Sequence, residues 1–221
     1  MLKNVRITWL LWWIIVILFQ NFATSIIVAQ EKVTPATATL IVVGDSLSAG
    51  HGMAPTQSWV HLLGSRLQDK GYHYQVINAS ISGDTTGGGK SRFLAALQKF
   101  KPAVVILELG ANDGLRGLSL KEMQTNLATM IEQAQQVNAK VLLLGMKIPP
   151  NYGKAYAWQF EQIYVKLAAQ YQVPLVPFLL EGVADQPALL QEDNMHPTAA
   201  AQSRLLETVW GTLAQMLKTA N

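Results

Sequence analysis

Apolar and polar positions alternate along this chain in blocks of two kinds. Residues 39–43 (TLIVV) form a short β-branched apolar run ending at Gly44, the pattern of a buried strand. From 59 to 70 the apolar residues Trp59, Val60, Leu62, Leu63 and Leu67 recur at helical spacing, closed by Gly71. Residues 74–78 predict a second strand, 93–100 a helix stopped before Pro102, and 103–109 (AVVILEL) a third strand. A long helix is predicted over 120–137, a fourth strand over 140–146 and a helix over 155–171. A short fifth strand over 173–177 and a final helix over 198–217 complete the series. Five strands alternating with helices predict an α/β fold, a parallel sheet with helices on both faces. The strands read as near-continuous apolar runs, as strands covered on both faces should. Ligands of such folds bind beyond the carboxyl ends of the strands. Candidate chemistry therefore belongs in the post-strand loops 44–53, 79–90, 110–117, 147–153 and 181–197.

The first 29 residues follow neither pattern. Lys3 and Arg6 precede an unbroken apolar run over 9–19 (WLLWWIIVILF), and a small residue, Ala29, closes the segment. A positive start, an apolar stretch and a small residue at the cut site describe a secretory signal peptide. The rival reading is an uncleaved anchor, because 9–29 approaches the roughly 20 residues needed to span a bilayer. Gln20, Asn21, Thr24 and Ser25 weaken it. The expected organisation is a leader over 1–29, a polar linker over 30–38 and one domain over 39–221. The expected location is outside the cytoplasm, periplasmic or secreted, or anchored at the inner membrane if the leader stays.

Composition narrows the function classes. Half of the 221 residues are apolar and 14% are charged, which excludes a disordered chain. The net charge of +3 comes from 17 basic and 14 acidic residues and contains no basic block, so nucleic acid is not an expected partner. The chain has no cysteine, which excludes disulfides, thiol catalysis and thiolate metal sites.

Each loop carries a modest signal. The first is Gly44-Asp45-Ser46-Leu47-Ser48, a hydroxyl immediately after a strand; its plainer use is a turn with Asp45 or Ser46 as helix cap. The nucleophile elbow G-x-S-x-G is absent there. The last loop holds Asp193-Asn-Met-His196-Pro197, a spacing that lets a carboxylate hold one ring nitrogen of a histidine. The plainer use is a cap, Asp193 or Asn194, on the final helix. In the third loop, Gly110-Ala-Asn112-Asp113-Gly114 offers a primary amide able to donate to an oxyanion, or simply a turn; Arg116 reads as a surface cation or a lid anchor. The second loop runs Asp84-Thr-Thr-Gly-Gly-Gly89-Lys90-Ser91, one residue short of the phosphate-binding pattern G-x-x-x-x-G-K-[ST]. Asp84 stands where that pattern needs glycine, so Gly83 reads better as a backbone donor to an oxyanion. His51, His61 and His73 fit no zinc spacing, and no metal site is expected.

These blocks share an order. Gly44-Asp45-Ser46-Leu47-Ser48, Gly83-Asp84, Gly110-Ala-Asn112-Asp113 and Asp193-Asn-Met-His196-Pro197 resemble the four blocks of the SGNH, or GDSL, hydrolases. Residues 78–84, 108–117 and 149–153 (PPNYG) extend the resemblance to the bacterial periplasmic thioesterase I/lysophospholipase L1 group, also called arylesterase, over roughly 40–217. His51 departs from that group, whose members often carry Tyr there, and the glycine run 87–89 is unusual; both bear on the pocket rim. The resemblance implies a flavodoxin-like three-layer α/β/α sandwich around five parallel strands. It implies catalysis by Ser46, His196 and Asp193, with an oxyanion hole formed by Ser46, Gly83 and Asn112, and no cofactor. The implied substrates are acyl esters and thioesters, small or lipid-like, including aryl esters, acyl-CoA and lysophospholipid, hydrolysed through an acyl-enzyme. Contact with membrane is expected only through the leader or a lipid substrate, and a monomer is expected. An apolar groove for the acyl chain is expected from Met53, Leu115, Leu118, Ile148 and Pro149. A carbohydrate acetylesterase on the same fold and a non-catalytic lipid-binding protein remain the alternatives.

Overall fold

The computed structural model describes residues 37–218. The expected leader over 1–29 and all but the end of the linker lie outside the described residues. Five strands form the sheet: β1 (Ala38–Gly44), β2 (Tyr74–Asn78), β3 (Val104–Glu108), β4 (Lys140–Leu144) and β5 (Leu175–Val176). All pair parallel, in the order β2-β1-β3-β4-β5. β1 and β3 are central and fully buried along Leu40–Val43 and Val104–Leu107, which accounts for their uninterrupted apolar sequence. β2 is an edge strand, with Gln75 and Asn78 exposed between half-buried neighbours. The fold is the predicted α/β class, and β5 is shorter than its apolar pattern suggested.

Seven helices accompany the sheet among the described residues: α1 (Ser46–Ala49), α2 (Trp59–Asp69), α3 (Thr86–Phe100), α4 (Ala111–Leu115), α5 (Leu120–Gln136), α6 (Lys154–Tyr171) and α7 (Gln202–Lys218). The β1→β2 connection moves one way along the sheet, while β2→β3, β3→β4 and β4→β5 move the other way. With right-handed crossovers this puts α2 on one face and α3, α5 and α6 on the opposite face. The packing agrees: α2 lies against α7, while α3 packs on α5 and α5 on α6. α2 buries Trp59, Val60, Leu63 and Leu67, and its start is capped by the Ser58 hydroxyl, which accepts from the His61 N–H at 3.3 Å.

Two helix starts differ from the sequence pattern. α3 begins at Thr86 rather than 93, so the glycine run 87–89 forms its first turns instead of a loop at the pocket rim. Thr85 supplies the cap, accepting from the Gly88 N–H at 3.2 Å. Glycine suits these turns because Asp84 lies against Gly88 and Leu109 against Gly89, leaving no room for a side chain. α7 begins at Gln202, after a single 3-10 turn (Ala199–Ala201), so Asp193 and Asn194 do not cap it.

The strand order reverses between β2-β1 and β1-β3. Loops leaving β1 and β3 on the same edge therefore diverge to opposite faces and open a crevice between them. At that edge Gly44 pairs in register with Glu108. A Cβ at Gly44 would meet Glu108 Oε2 at 2.5 Å and the Glu108 carbonyl at 2.9 Å, so only glycine fits. Gly44→Ala is expected to destabilise the protein by about 1–3 kcal/mol through overpacking. The urea midpoint reports this, and an unchanged midpoint would contradict the crowding.

Candidate active site

The crevice is built from the turn after β1. Asp45 caps α1, its Oδ1 accepting from the Leu47 N–H at 3.0 Å, and Gly50 closes the turn in the left-handed conformation. Ser46 is the first residue of α1, where backbone N–H groups lack partners inside the helix. Beneath it lies Glu108, fully buried, whose Oε2 accepts from the Asp45 N–H at 3.2 Å and the Ser48 hydroxyl at 2.7 Å. Burial, reinforced by the neighbouring Asp45 charge, holds the Glu108 carboxyl well above the usual carboxylate range. Burial therefore favours the neutral form of this carboxyl.

The last loop meets this turn from across the crevice. His196 Nε2 lies 2.8 Å from the Ser46 hydroxyl, and His196 Nδ1 lies 2.6 Å from Asp193 Oδ2. Asp193 Oδ1 accepts from the backbone N–H groups of Met195 (2.9 Å) and His196 (3.0 Å). The hydrogen bond from the His196 ring, followed by those two backbone donors, holds the Asp193 carboxyl well below the usual carboxylate range. An ionised Asp193 only accepts, so Nδ1 carries the imidazole hydrogen and Nε2 is left to accept from the Ser46 hydroxyl. The loop is closed by an isolated bridge between Leu190 and Pro197. It is tied to the first loop by Gln191, whose amide nitrogen donates to the His51 carbonyl at 2.8 Å and the Pro197 carbonyl at 2.9 Å.

The other two loops bring amide donors to the same place. Gly83 occupies the third position of a turn closed by the Asp84 N–H donating to the Ile81 carbonyl at 3.1 Å. Its φ of 79° is the value a type II turn requires there, and glycine supplies it without strain. Asn112, in the first turn of α4, donates through Nδ2 to Asp45 Oδ2 at 3.1 Å. Asp113, the next residue, faces away and clamps the start of α3: it accepts from the Thr86 N–H at 2.8 Å and the Thr86 hydroxyl at 2.6 Å.

Ser46, Gly83, Asn112 and His196 face a cavity of about 650 Å³. Its walls are apolar, with Leu115, Ile148 and Pro149 from the expected groove residues. Met53 and Leu118 do not line it: Leu118 is 42% exposed beyond α4, and Met53 stays with the first loop outside the cavity. Phe178, Leu180 and Met195 supply wall that the sequence pattern missed. They follow β5 or lie in the last loop, and their spacing carries no signal until the chain folds back over the sheet edge. His51 also lines the cavity, its ring 4.4 Å from that of His196. Glu108 was missed for a different reason, because a lone acid inside an apolar strand reads as nothing in particular. No cluster of His, Asp and Glu among the described residues has the geometry of a metal site. The phosphate reading of the second loop fails, because the Asp84 carboxylate lies against the start of α3 and is paired with Arg92 at 2.8 Å.

Burial is the main reason that the Asp45 carboxyl is pushed up to about 6 from 3.8, against hydrogen bonds from the Leu47 N–H and Asn112 that lower it. Below 3.8 both the native and the unfolded chain hold this proton. Between 3.8 and about 6 the unfolded chain releases it and the native protein does not. The contribution of this group to stability therefore falls as pH rises through that window, and then levels off. Asp45→Asn cannot ionise. Its unfolding free energy relative to wild type is expected to improve between pH 4 and pH 7.5 by on the order of 3 kcal/mol. A difference that does not change with pH would refute the burial argument.

Comparison with known proteins places this geometry in context. Residues 42–204 match the model of the GDSL-like lipase/acylhydrolase family. The chain is 53% identical over 182 residues to the esterase TesA of Pseudomonas aeruginosa, covering 82% of this chain and 90% of that one. It is 42% identical over 167 residues to the thioesterase 1/protease 1/lysophospholipase L1 of Escherichia coli, covering 76% and 79%. The crystal structure of the psychrotrophic esterase EstA from Pseudoalteromonas sp., inhibited by monoethylphosphonate, superposes with a TM-score of 0.79 at 36% identity, covering 82% and 99%.

Proposed function

The chain belongs to the GDSL-like lipase/acylhydrolase family, and within it we propose that Ser46, His196 and Asp193 carry acyl transfer to water from esters and thioesters with medium or long acyl chains. It is an esterase of that family. The observation that carries the proposal is the continuous relay Asp193–His196–Ser46, at 2.6 and 2.8 Å, opening onto an apolar cavity.

The Ser46 oxygen attacks the acyl carbonyl as its proton passes to His196 Nε2. Asp193 holds the Nδ1–H tautomer and balances the charge of the imidazolium. The oxyanion is held by the backbone N–H groups of Ser46 and Gly83 and the side-chain amide of Asn112. Collapse of the tetrahedral intermediate expels the alcohol or thiol, which takes the proton from His196. Water, deprotonated by the same nitrogen, then attacks the acyl-enzyme and releases the carboxylic acid and free Ser46. Each step conserves charge and protons without a cofactor.

The substrate class follows from the cavity walls. Leu115, Ile148, Phe178 and Leu180 offer dispersion contacts and few hydrogen bonds, which suits an alkyl chain and gives a sugar little to hold. This disfavours the carbohydrate acetylesterase reading. A complete relay disfavours a protein that binds lipid without turnover. Aryl esters, acyl-CoA and lysophospholipid are the substrates to test; the name of the Escherichia coli relative includes thioesterase and lysophospholipase. The proposed location is outside the cytoplasm, on the strength of the leader pattern in residues 1–29. Among the described residues no helix is long and apolar enough to cross a membrane.

Ser46→Ala and His196→Ala are each expected to lower kcat on p-nitrophenyl octanoate by about a thousandfold or more while the circular dichroism spectrum is unchanged. Retention of a tenth of wild-type turnover by either variant would overturn the assignment.

The acyl-length profile is a separate expectation. Each methylene buried contributes about 0.8 kcal/mol, so kcat/KM should rise from acetyl toward octanoyl esters. Ile148→Ala removes part of the wall and should cost octanoyl turnover about fivefold, or about 1 kcal/mol, while sparing acetyl. A profile that peaks at acetyl and ignores Ile148→Ala would favour a short-acyl deacetylase.

A further inference from the structure

We propose that Arg116 is a positioning residue that holds two oxyanion donors, Gly83 and Asn112, at their working separation; this rests on the function proposed above. One guanidinium nitrogen of Arg116, Nη2, donates to the Gly83 carbonyl at 2.9 Å and to the Asn112 side-chain oxygen at 3.3 Å. A single nitrogen with two hydrogens therefore bridges the loop after β2 and the loop after β3.

The sheet does not set this separation. β2 and β3 do not pair with each other, because β1 lies between them. The two loops are joined deeper down by Thr86 and Asp113, but that clamp acts on the residues beside the donors and not on the donors themselves. An oxyanion needs its donors about 2.7–3.1 Å from one point. A working site holds such geometry to within about 0.5 Å.

Both donors have a freedom that Arg116 removes. Gly83, at φ 79° and without a side chain, is the residue of its turn freest to rotate. A hydrogen bond to its carbonyl limits rotation about ψ and so steadies the turn that aims its N–H. The Asn112 amide can flip about its last torsion. Its nitrogen faces the Asp45 carboxylate and its oxygen faces Arg116, and the flipped form would set oxygen against carboxylate and NH2 against guanidinium. Only the observed orientation satisfies both neighbours. Asp45 takes one amide hydrogen and leaves the second for the oxyanion. The guanidinium on the amide oxygen also polarises the amide and strengthens that remaining N–H as a donor.

Arg116 is well suited to this task and poorly replaced. It is exposed and anchored at the end of α4, where its own N–H donates to the Asn112 carbonyl at 3.2 Å. A lysine ammonium could also donate to both acceptors from one nitrogen, but its flexible stem and strong hydration would hold that nitrogen less firmly than the rigid guanidinium plane does. This use goes beyond a surface cation or a lid anchor, the two readings that the sequence offered.

The test is a kinetic and binding comparison of Arg116→Ala and Arg116→Lys with wild type, in the full chain. For Arg116→Ala, kcat on p-nitrophenyl octanoate is expected to fall about tenfold or more, with KM within twofold. The rate of inactivation by an alkyl phosphonate, whose oxygen occupies the oxyanion position, should fall by a similar factor. Arg116→Lys should lie between the two. The thermal midpoint should stay within about 2 °C, since the side chain is exposed. The decisive arm is a double-variant cycle. In an Asn112→Ala background, adding Arg116→Ala should cost much less than it costs in wild type, because part of what it positions is already gone. A kcat within twofold of wild type for Arg116→Ala, or an equal loss with and without Asn112, would overturn the proposal. Failure of the underlying function looks different: Ser46→Ala and Asn112→Ala would then retain activity themselves.

Discussion

The Glu108 carboxyl is the hub on which the site turns. It sits at the end of the central strand with no exposed surface, and its Oε2 accepts from both sides of the turn that carries Ser46. A charge there would be very costly to bury, and this raises the affinity of the carboxyl for its proton. The same contact dictates glycine at position 44, because nothing larger fits between β1 and this side chain. Asp45 is then fixed at its backbone by Glu108 and at its side chain by the start of α1, and its free oxygen is aimed at Asn112. One buried acid thus sets the turn that carries Ser46, and through Asp45 it orients an amide on the neighbouring loop.

The opposite wall is built on another principle. His196 and Asp193 lie on a loop without strand or helix, and Asp193 is exposed. What positions them is short-range: two backbone donors to Asp193, a bridge between Leu190 and Pro197, and Gln191 tying this loop to the first. Ser46, half-buried at the start of α1, faces His196 on that solvated loop. In the proposed mechanism His196 carries positive charge during the reaction, and the solvated carboxylate of Asp193 balances it without the desolvation cost that raises Glu108. The two carboxyls shift in opposite directions: burial raises Glu108, while hydrogen bonds from His196 and Met195 lower Asp193.

Much of the architecture was legible in the residues. Apolar runs bounded by glycine located β1 and β3, helical spacing located α2 and α5, and their alternation gave the parallel sheet. The four blocks holding Ser46, Gly83, Asn112 and the Asp193–His196 pair were visible because each follows a strand or precedes the last helix. The errors have local causes. Gly87–Gly89 read as loop because glycine weakens helix propensity, yet close packing against Asp84 and Leu109 demands glycine in the first turns of α3. Met53 and Leu118 read as groove residues because they are apolar and near the motif, but proximity in sequence does not decide which way a side chain faces. Phe178 and Leu180 went unseen because they follow the shortest strand, where no periodicity develops.

By itself, the sequence determined the elements, their order, the parallel class and the candidate chemistry, since periodicity, turn residues and short motifs are local properties of the chain. Only the tertiary structure decided which of those groups meet. Ser46 and His196 are 150 residues apart in sequence and 2.8 Å apart in space. That approach depends on the reversal of strand order beside β1, which no single segment encodes. The upward shift of the Glu108 carboxyl, the orientation of the Asn112 amide and the bridge from Arg116 are also products of assembly. Burial and electrostatic balance belong to the surroundings of a residue, and those surroundings exist only once distant segments have packed together.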